Sequence, residues 1–397
     1  MEQQLQAWLR YCVYFGIYVN ATPSTERVSS TELCWATKQL YRKRNFYHPR
    51  AYIYFLACIT CIAFALSLVW HTYPPDLQLN WIATCILFIS RYVTNSLILL
   101  EALRKRREHD EFLKLLVEIE ASLRIRLHWQ VESRQLLAQI KGFLKFQLVL
   151  SFLGLLPFMV FSLIVVEYGG YFWQGLWFIC TARLRTLQLL VYLRILRHYL
   201  RGLCLKLRQI MEFHMAPSCR LLDIDYGRLG TLKCLLAVKE TYTLIHEAIQ
   251  LLNYFAGLSL WGIIISCVLD LSSNFYWVLQ SFDNFHGRRY YYLIDLWWFV
   301  PVTVLVWELC YVCDDCMRLL NVAYFQGCTL TQLLSKIIVS STSGIGRNYR
   351  IVLQQFSMQM QLQRIEVSAC NFFKLDMRFV MSICTAMAMH LVILIQF

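Results

Sequence analysis

Seven stretches of the chain stay apolar for about 20 residues, the length of helix that crosses a bilayer core. They run from Ala51 to Trp70, Trp81 to Leu100, Phe146 to Val166, Tyr171 to Ile195, Leu251 to Leu279, Tyr291 to Tyr311 and Phe379 to Phe397. Arg183, Arg185 and Arg194 interrupt the fourth, and the sixth carries Asp295 and Glu308. Between the stretches the pattern turns amphipathic. Phe112, Leu115, Leu116, Ile119 and Leu123 form one apolar stripe at helical spacing, while Glu101/Lys105, Asp110/Lys114 and Glu120/Arg124 stand i, i+4 on the outside. Tyr199 to Phe213 and Leu229 to Leu252 read as helix in the same way, with Pro217 and the polar stretch to Asp225 as the turn between them. Val339-Ser340-Ser341-Thr342-Ser343-Gly344-Ile345-Gly346 is a flexible linker, and a helical pattern resumes from Tyr349 to Leu375. The pattern predicts an all-α polytopic membrane protein with seven transmembrane helices, several of which extend beyond the bilayer and pack there as a bundle.

Charge gives this bundle a side. The connections 1–50, 101–145, 196–250 and 312–378 hold 32 Lys and Arg residues, whereas 71–80, 167–170 and 280–290 hold 2. By the positive-inside rule the first set is cytoplasmic, which puts the N-terminus inside and the C-terminus outside. The organisation expected is then a cytoplasmic segment 1–50, six transmembrane helices over 51–311 with long cytoplasmic helical loops at 101–145 and 196–250, a cytoplasmic linker and helix over 312–378, and a seventh transmembrane helix over 379–397.

Composition agrees. Of 397 residues 58% are apolar and 16% charged, against about 25% charged in a soluble domain. The net charge of +13 belongs to a cytoplasmic face near anionic lipid rather than to a nucleic-acid footprint. None of the 16 cysteines lies in the three connections assigned to the outside, so no extracellular disulfide is expected there. The run Tyr11 to Val19 lacks a cationic lead and a clear cleavage site, which disfavours a signal peptide. The sequon Asn20-Ala21-Thr22 would face the cytoplasm unused.

Little in the sequence suggests catalysis. Cys310, Cys313 and Cys316 have an iron-sulfur spacing but Leu320 stands where a fourth ligand belongs. Gly344 and Gly346 lack a third glycine at Tyr349, and His246-Glu247 lacks a second histidine. An enzyme, a cofactor and a metal are therefore not expected. Ionisable groups inside apolar stretches are costly, so Arg91, Asp270 and Asp295 either form structural pairs or border a cavity. Aromatics crowd the predicted outer half, among them Trp173, Tyr276, Trp297 and Trp298; part of them form an interfacial belt, and the rest could line a pocket for an organic ligand oriented by Arg91, Asn95 or Asp295. In the last stretch Ser382, Thr385, Met389, Val392 and Gln396 fall on one stripe. That stripe either packs against another helix or lines a pore, and a pore would need several copies around an axis.

The C-terminus, Met389-His390-Leu391-Val392-Ile393-Leu394-Ile395-Gln396-Phe397, resembles that of insect gustatory receptors, a family related to insect odorant receptors, which end in Thr-Tyr, five apolar residues and Gln-Phe. Phe356 to Met360 and Ala369 to Asp376 are similar to the family's stretch before its last helix, with Asn371 in place of the usual Gly. The resemblance implies a multi-pass plasma-membrane receptor acting as a tetrameric, ligand-gated, non-selective cation channel, homomeric or shared with related subunits. It also implies a pocket for a small organic tastant in the outer half of each subunit, a pore lined by the last helix, and an intersubunit anchor built from the cytoplasmic extensions. Gln396 and Phe397 would sit at the gate, and His390 stands where the family has Tyr. Sugar-responsive relatives carry Glu directly after Thr-Tyr; Leu391 here favours a bitter or otherwise aversive ligand. Two other classes compete. A G-protein-coupled receptor requires an external N-terminus, and a secondary transporter typically shows internal repeats.

Overall fold

The computed structural model describes residues 8–9, 11–18, 52, 54–60, 62–63, 78–129, 133–164, 166–215, 231–283, 291–321, 347–370 and 372–396. Wherever one of the seven apolar stretches is described, it is helical. The long helices are α1 (Gln78–Arg104), α2 (Arg106–Ala121), α3 (Ser133–Ile164), α4 (Val166–Met215), α5 (Leu232–Asp283) and α6 (Tyr291–Asn321). α7 (Arg347–Leu362), a two-stranded hairpin of β1 (Ser368–Ala369) and β2 (Phe373–Lys374), and α8 (Met377–Gln396) complete the chain. Among the described residues, four helical windows are long and apolar enough to cross a membrane, Ile86–Arg104, Gln135–Pro157, Leu176–Ile210 and Leu232–Ser273.

α4 and α5, of 50 and 52 residues, rise about 75 Å each at 1.5 Å per residue, far more than the bilayer core of about 30 Å. Their extensions therefore pack outside it, as the amphipathic pattern predicts. One continuous core joins Phe112, Leu116, Ile119 and Leu123 of the α2 region to Leu235, Val238 and Ile245 of α5 and to Leu353 and Phe356 of α7. Residues 8–18 belong to it as well: Cys12 and Ile17 are fully buried, and the Tyr18 hydroxyl donates to Asp110 at 2.8 Å. On α3, by contrast, Phe146, Val149, Phe152 and Val160 are exposed, the surface expected of a helix facing lipid.

Two readings are corrected by the fold. The i, i+4 charges do not all point outward. Glu101 is fully buried and pairs with Arg185 of α4 at 3.5 Å as well as with Lys105 at 3.3 Å; Asp110 serves Tyr18, and Glu120 accepts from Tyr199. The helix predicted over Tyr349 to Leu375 ends at Leu362. Beyond it the chain reverses through the hairpin, Cys370 taking φ 51°, where L residues are strained and a helix cannot continue.

Ion pairs bind α4 to α6 towards the end of the bundle that carries the basic connections. Arg194 meets Glu308 at 2.8 Å, and two helical turns on Arg201 meets Asp315 at 2.9 Å, with Arg197 sharing the same carboxylate. The seven-residue interval on both helices keeps the pairs in register. Cys310, Cys313 and Cys316 lie in the core beside them.

Candidate ligand cavity and pore helix

Four helices enclose a cavity at the level of Arg91. α1 contributes Arg91 and Thr94, α4 Phe178 and Arg183, α5 Ile263, Ser266, Cys267 and Asp270, and α6 Val302 and Leu305. Arg91 donates through Nε and Nη2 to a single oxygen of Asp270, at 3.2 and 2.9 Å, so one carboxylate oxygen holds both donors. The pair is mostly withdrawn from the surface, at 17% and 13% side-chain exposure. Arg91 also lies 5.7 Å from the Phe88 ring centroid, and Tyr92 meets Phe178 edge-on at 4.6 Å. The cavity thus has apolar walls and a polar floor in which Arg183, on the neighbouring helix, donates to the Ser151 carbonyl at 3.4 Å. Its volume of about 50 Å³ is below that of a pocket for an organic molecule, so in this structure it is a closed polar cluster between apolar walls.

The structure separates two residues that the sequence grouped. Arg91 borders the cavity, but Asn95, one turn on, is buried outside its lining and donates to Thr60 at 2.9 Å. Asp270, which the sequence offered as either a structural pair or a cavity residue, pairs with Arg91 and also borders the cavity. Its position in the pair could not be read from a separation of 179 residues. The side chains of Trp173, Tyr276, Asp295 and Trp298 lie outside the described residues. Their backbone stations are on α4, α5 and α6, within ten residues of the cavity residues Arg183, Asp270 and Val302.

α8 packs on its own subunit along a narrow strip. Met387 is buried against Leu271 and Val302, and Ile383 packs beside it. Most of the rest of the helix is uncovered: Met381, Met389 and Val392 are exposed, and Ser382 and Thr385 lie on the same open side, their hydroxyls satisfied by the carbonyls of Arg378 and Met381 at 3.1 and 2.9 Å. The described members of the stripe read from spacing, Ser382, Thr385, Met389 and Val392, are therefore not used for packing within the subunit. His390 and Gln396 fall on α8 with side chains outside the described residues, as does the whole of Phe397. At its start α8 is capped by Asp376, whose carboxylate accepts from Phe379 N–H at 2.8 Å.

Comparison with known proteins gives the family. The family described as 7tm Chemosensory receptor matches residues 5–397. Gustatory receptor 39b of Drosophila melanogaster is 25% identical over 357 residues, covering 88% of this chain and 91% of its own, and gustatory receptor 23a of the same organism is 30% identical over 160 residues, 40% of each chain. The olfactory receptor OR5 of Machilis hrabei has a similar fold, with a TM-score of 0.64 over 100% of this chain and 99% of its own at 14% identity. Its complex with eugenol superposes at 0.65 with the same coverage at 13% identity. The chain is a multi-pass plasma-membrane protein and belongs to the 7tm chemosensory receptor family.

Proposed function

We propose that this receptor is a gustatory, ligand-gated, non-selective cation channel, a tetramer of this chain or of this chain with related subunits. The observation that carries the reading is the open face of α8. A membrane helix whose small, hydroxyl and thioether groups are left unpacked within one subunit, at Ser382, Thr385 and Met389, invites burial by symmetry mates around a shared axis. Gln396 and Phe397 would close the outer end of that axis, with His390 beside the stripe. The basic split of the connections supports an internal N-terminus and an external C-terminus, which is the reverse of a G-protein-coupled receptor.

The ligand on this reading is a small organic tastant, held above the Arg91–Asp270 pair by the aromatic stations Trp173, Tyr276 and Trp298 with Asp295. Eugenol, which the OR5 structure contains, is a compound of this chemical class. Leu391, where sugar receptors carry Glu, supports an aversive ligand over a sugar. No cofactor, metal or nucleic acid enters the scheme. Expression of the chain alone, with G-protein signalling blocked, should give a cation current that a panel of aversive organic compounds increases. Responses that vanish on blocking G-proteins would overturn the reading.

A further inference from the structure

In an uninterrupted helix the N–H of Leu258 would bond the carbonyl of Tyr254, and the N–H of Ser259 that of Phe255. In α5 all four groups have side-chain partners instead of, or beside, the ladder. Glu101 of α1 accepts from Leu258 N–H through Oε1 at 3.1 Å and from Ser259 N–H through Oε2 at 2.9 Å. Lys105 Nζ donates to the Tyr254 carbonyl, and Arg185 Nη2 of α4 donates to the Phe255 carbonyl at 3.4 Å. The signs fit the groups: one anion takes the two donors, and two cations take the two acceptors.

The carriers are held in place. Arg185 Nε donates to Ser259 Oγ at 3.1 Å and Nη1 to Gln188 Oε1 at 2.7 Å. The side chains of Glu101 and Arg185 are 0% and 1% exposed, so charge is withdrawn from water at a point where the helix by itself needs none.

The hairpin that leads into α8 rests on this same turn. Asn253 clamps β1 with both ends of its amide, donating to the Glu366 carbonyl at 2.7 Å and accepting from Ser368 N–H at 3.1 Å. Gly257 faces Cys370 so closely that a Cβ there would stand 3.0 Å from the Cys370 nitrogen. From Cys370 the chain passes through β2 to the Asp376 cap of α8 in six residues.

We propose that Glu101, Lys105 and Arg185 form a charged staple that grips α5 at Tyr254–Ser259, and that the gripped turn is the seat that positions the hairpin and hence α8. As a gating role this rests on the channel reading above. Each of the four backbone groups has a side-chain partner besides its place in the helix, so loss of a staple charge changes how this turn is held. Glu101 is on α1, Lys105 directly follows it, Arg185 is on α4, and the turn they grip is on α5; the same three helices carry Arg91, Arg183 and Asp270 of the cavity. A shift of those helices by a ligand would therefore reach the seat directly. Glu101, Lys105 and Arg185 are positioning residues: they act on α8 through the hairpin.

Site-resolved thiol labelling of the assembled receptor tests the seat. In Glu101→Gln, labelling of Cys370 by a maleimide should run at least fivefold faster than in wild type, measured relative to the fully labelled denatured receptor, while the buried Cys313 stays unlabelled. The unliganded cation current per surface receptor should rise at least threefold, and Glu101→Asp should restore part of both. Should Glu101→Gln not assemble, Lys105→Met, whose side chain is 20% exposed, gives a milder form of the same test with about a twofold acceleration expected from loss of one carbonyl partner. Unchanged Cys370 labelling in both variants would overturn the seat. Faster labelling with an unchanged current, in cells where wild type conducts, would overturn the positioning of α8. No current from wild type either would instead reject the channel reading, and the labelling result would still decide the seat.

Discussion

The indole Nε1–H of Trp297 donates to the main-chain carbonyl of Leu153 at 2.9 Å. In an unbroken α3 that carbonyl would bond the nitrogen of residue 157, which is Pro157 and has no hydrogen. A side chain of α6 thus completes the ladder of α3 at the place where lipid could not. One turn away on α6, Pro301 packs against Gly154, where an added Cβ would overlap the Pro301 ring. The two prolines and the glycine make the α3–α6 contact a close one.

Trp297→Phe keeps the ring but removes the donor, and should lower stability by about 1 kcal/mol. Gly154→Ala should lower the thermal midpoint more, and Pro301→Ala added to it should recover most of that loss. A double variant no more stable than Gly154→Ala would show that the ring is not what restricts position 154.

Arg91→Ala leaves the Asp270 carboxylate without its main partner. Loss of a charge-assisted bond at these exposures should destabilise by about 2 kcal/mol. Surface expression should fall in Arg91→Ala and in Asp270→Ala, and the exchange Arg91→Asp with Asp270→Arg should recover part of it. Equal expression of all four proteins, read by surface biotinylation, would remove the pair from the structural account.

His109 supplies a pH dependence. Its ring stacks on Phe255 at 4.5 Å and Nε2 lies 2.8 Å from the Tyr192 hydroxyl. Burial first, and the charge of Arg185 second, push its pKa well below 6.5. The unfolded chain then takes up a proton below pH 6.5 that the folded chain refuses, so stability is full above that pH and falls as pH drops through it. The slope approaches about 1.4 kcal/mol per pH unit for one group. The thermal midpoint of wild type should decline between pH 6.5 and 5, and the decline should be shallower in His109→Gln. Parallel profiles would assign the acid sensitivity elsewhere.

The helices were legible in the sequence because burial in lipid makes apolar residues continuous, and that signal is local. The charged core was not. Glu101 and Lys105 carry the same i, i+4 spacing as a solvent-facing pair, and only the fold brings Arg185 and the α5 amides to them from residues 84 and 157 positions away. The hairpin was hidden for a related reason. Its two-residue strands are too short to show a period, and its place is fixed by Asn253 and Gly257, more than a hundred residues earlier. On α8 the stripe of Ser382, Thr385 and Met389 was readable, and what spacing could not say was which side of the helix its own subunit would cover.

The channel account is tested most directly on that stripe. Thr385→Cys, in a Cys384→Ser background, should be modified by an externally applied, positively charged methanethiosulfonate reagent with loss of more than half of the cation current, because up to four added charges would stand around the conduction path. Ile383→Cys in the same background, on the strip packed against α5 and α6, should be spared. A Thr385→Cys receptor that reaches the surface, is shown to be labelled and conducts as before would contradict a pore lined by α8.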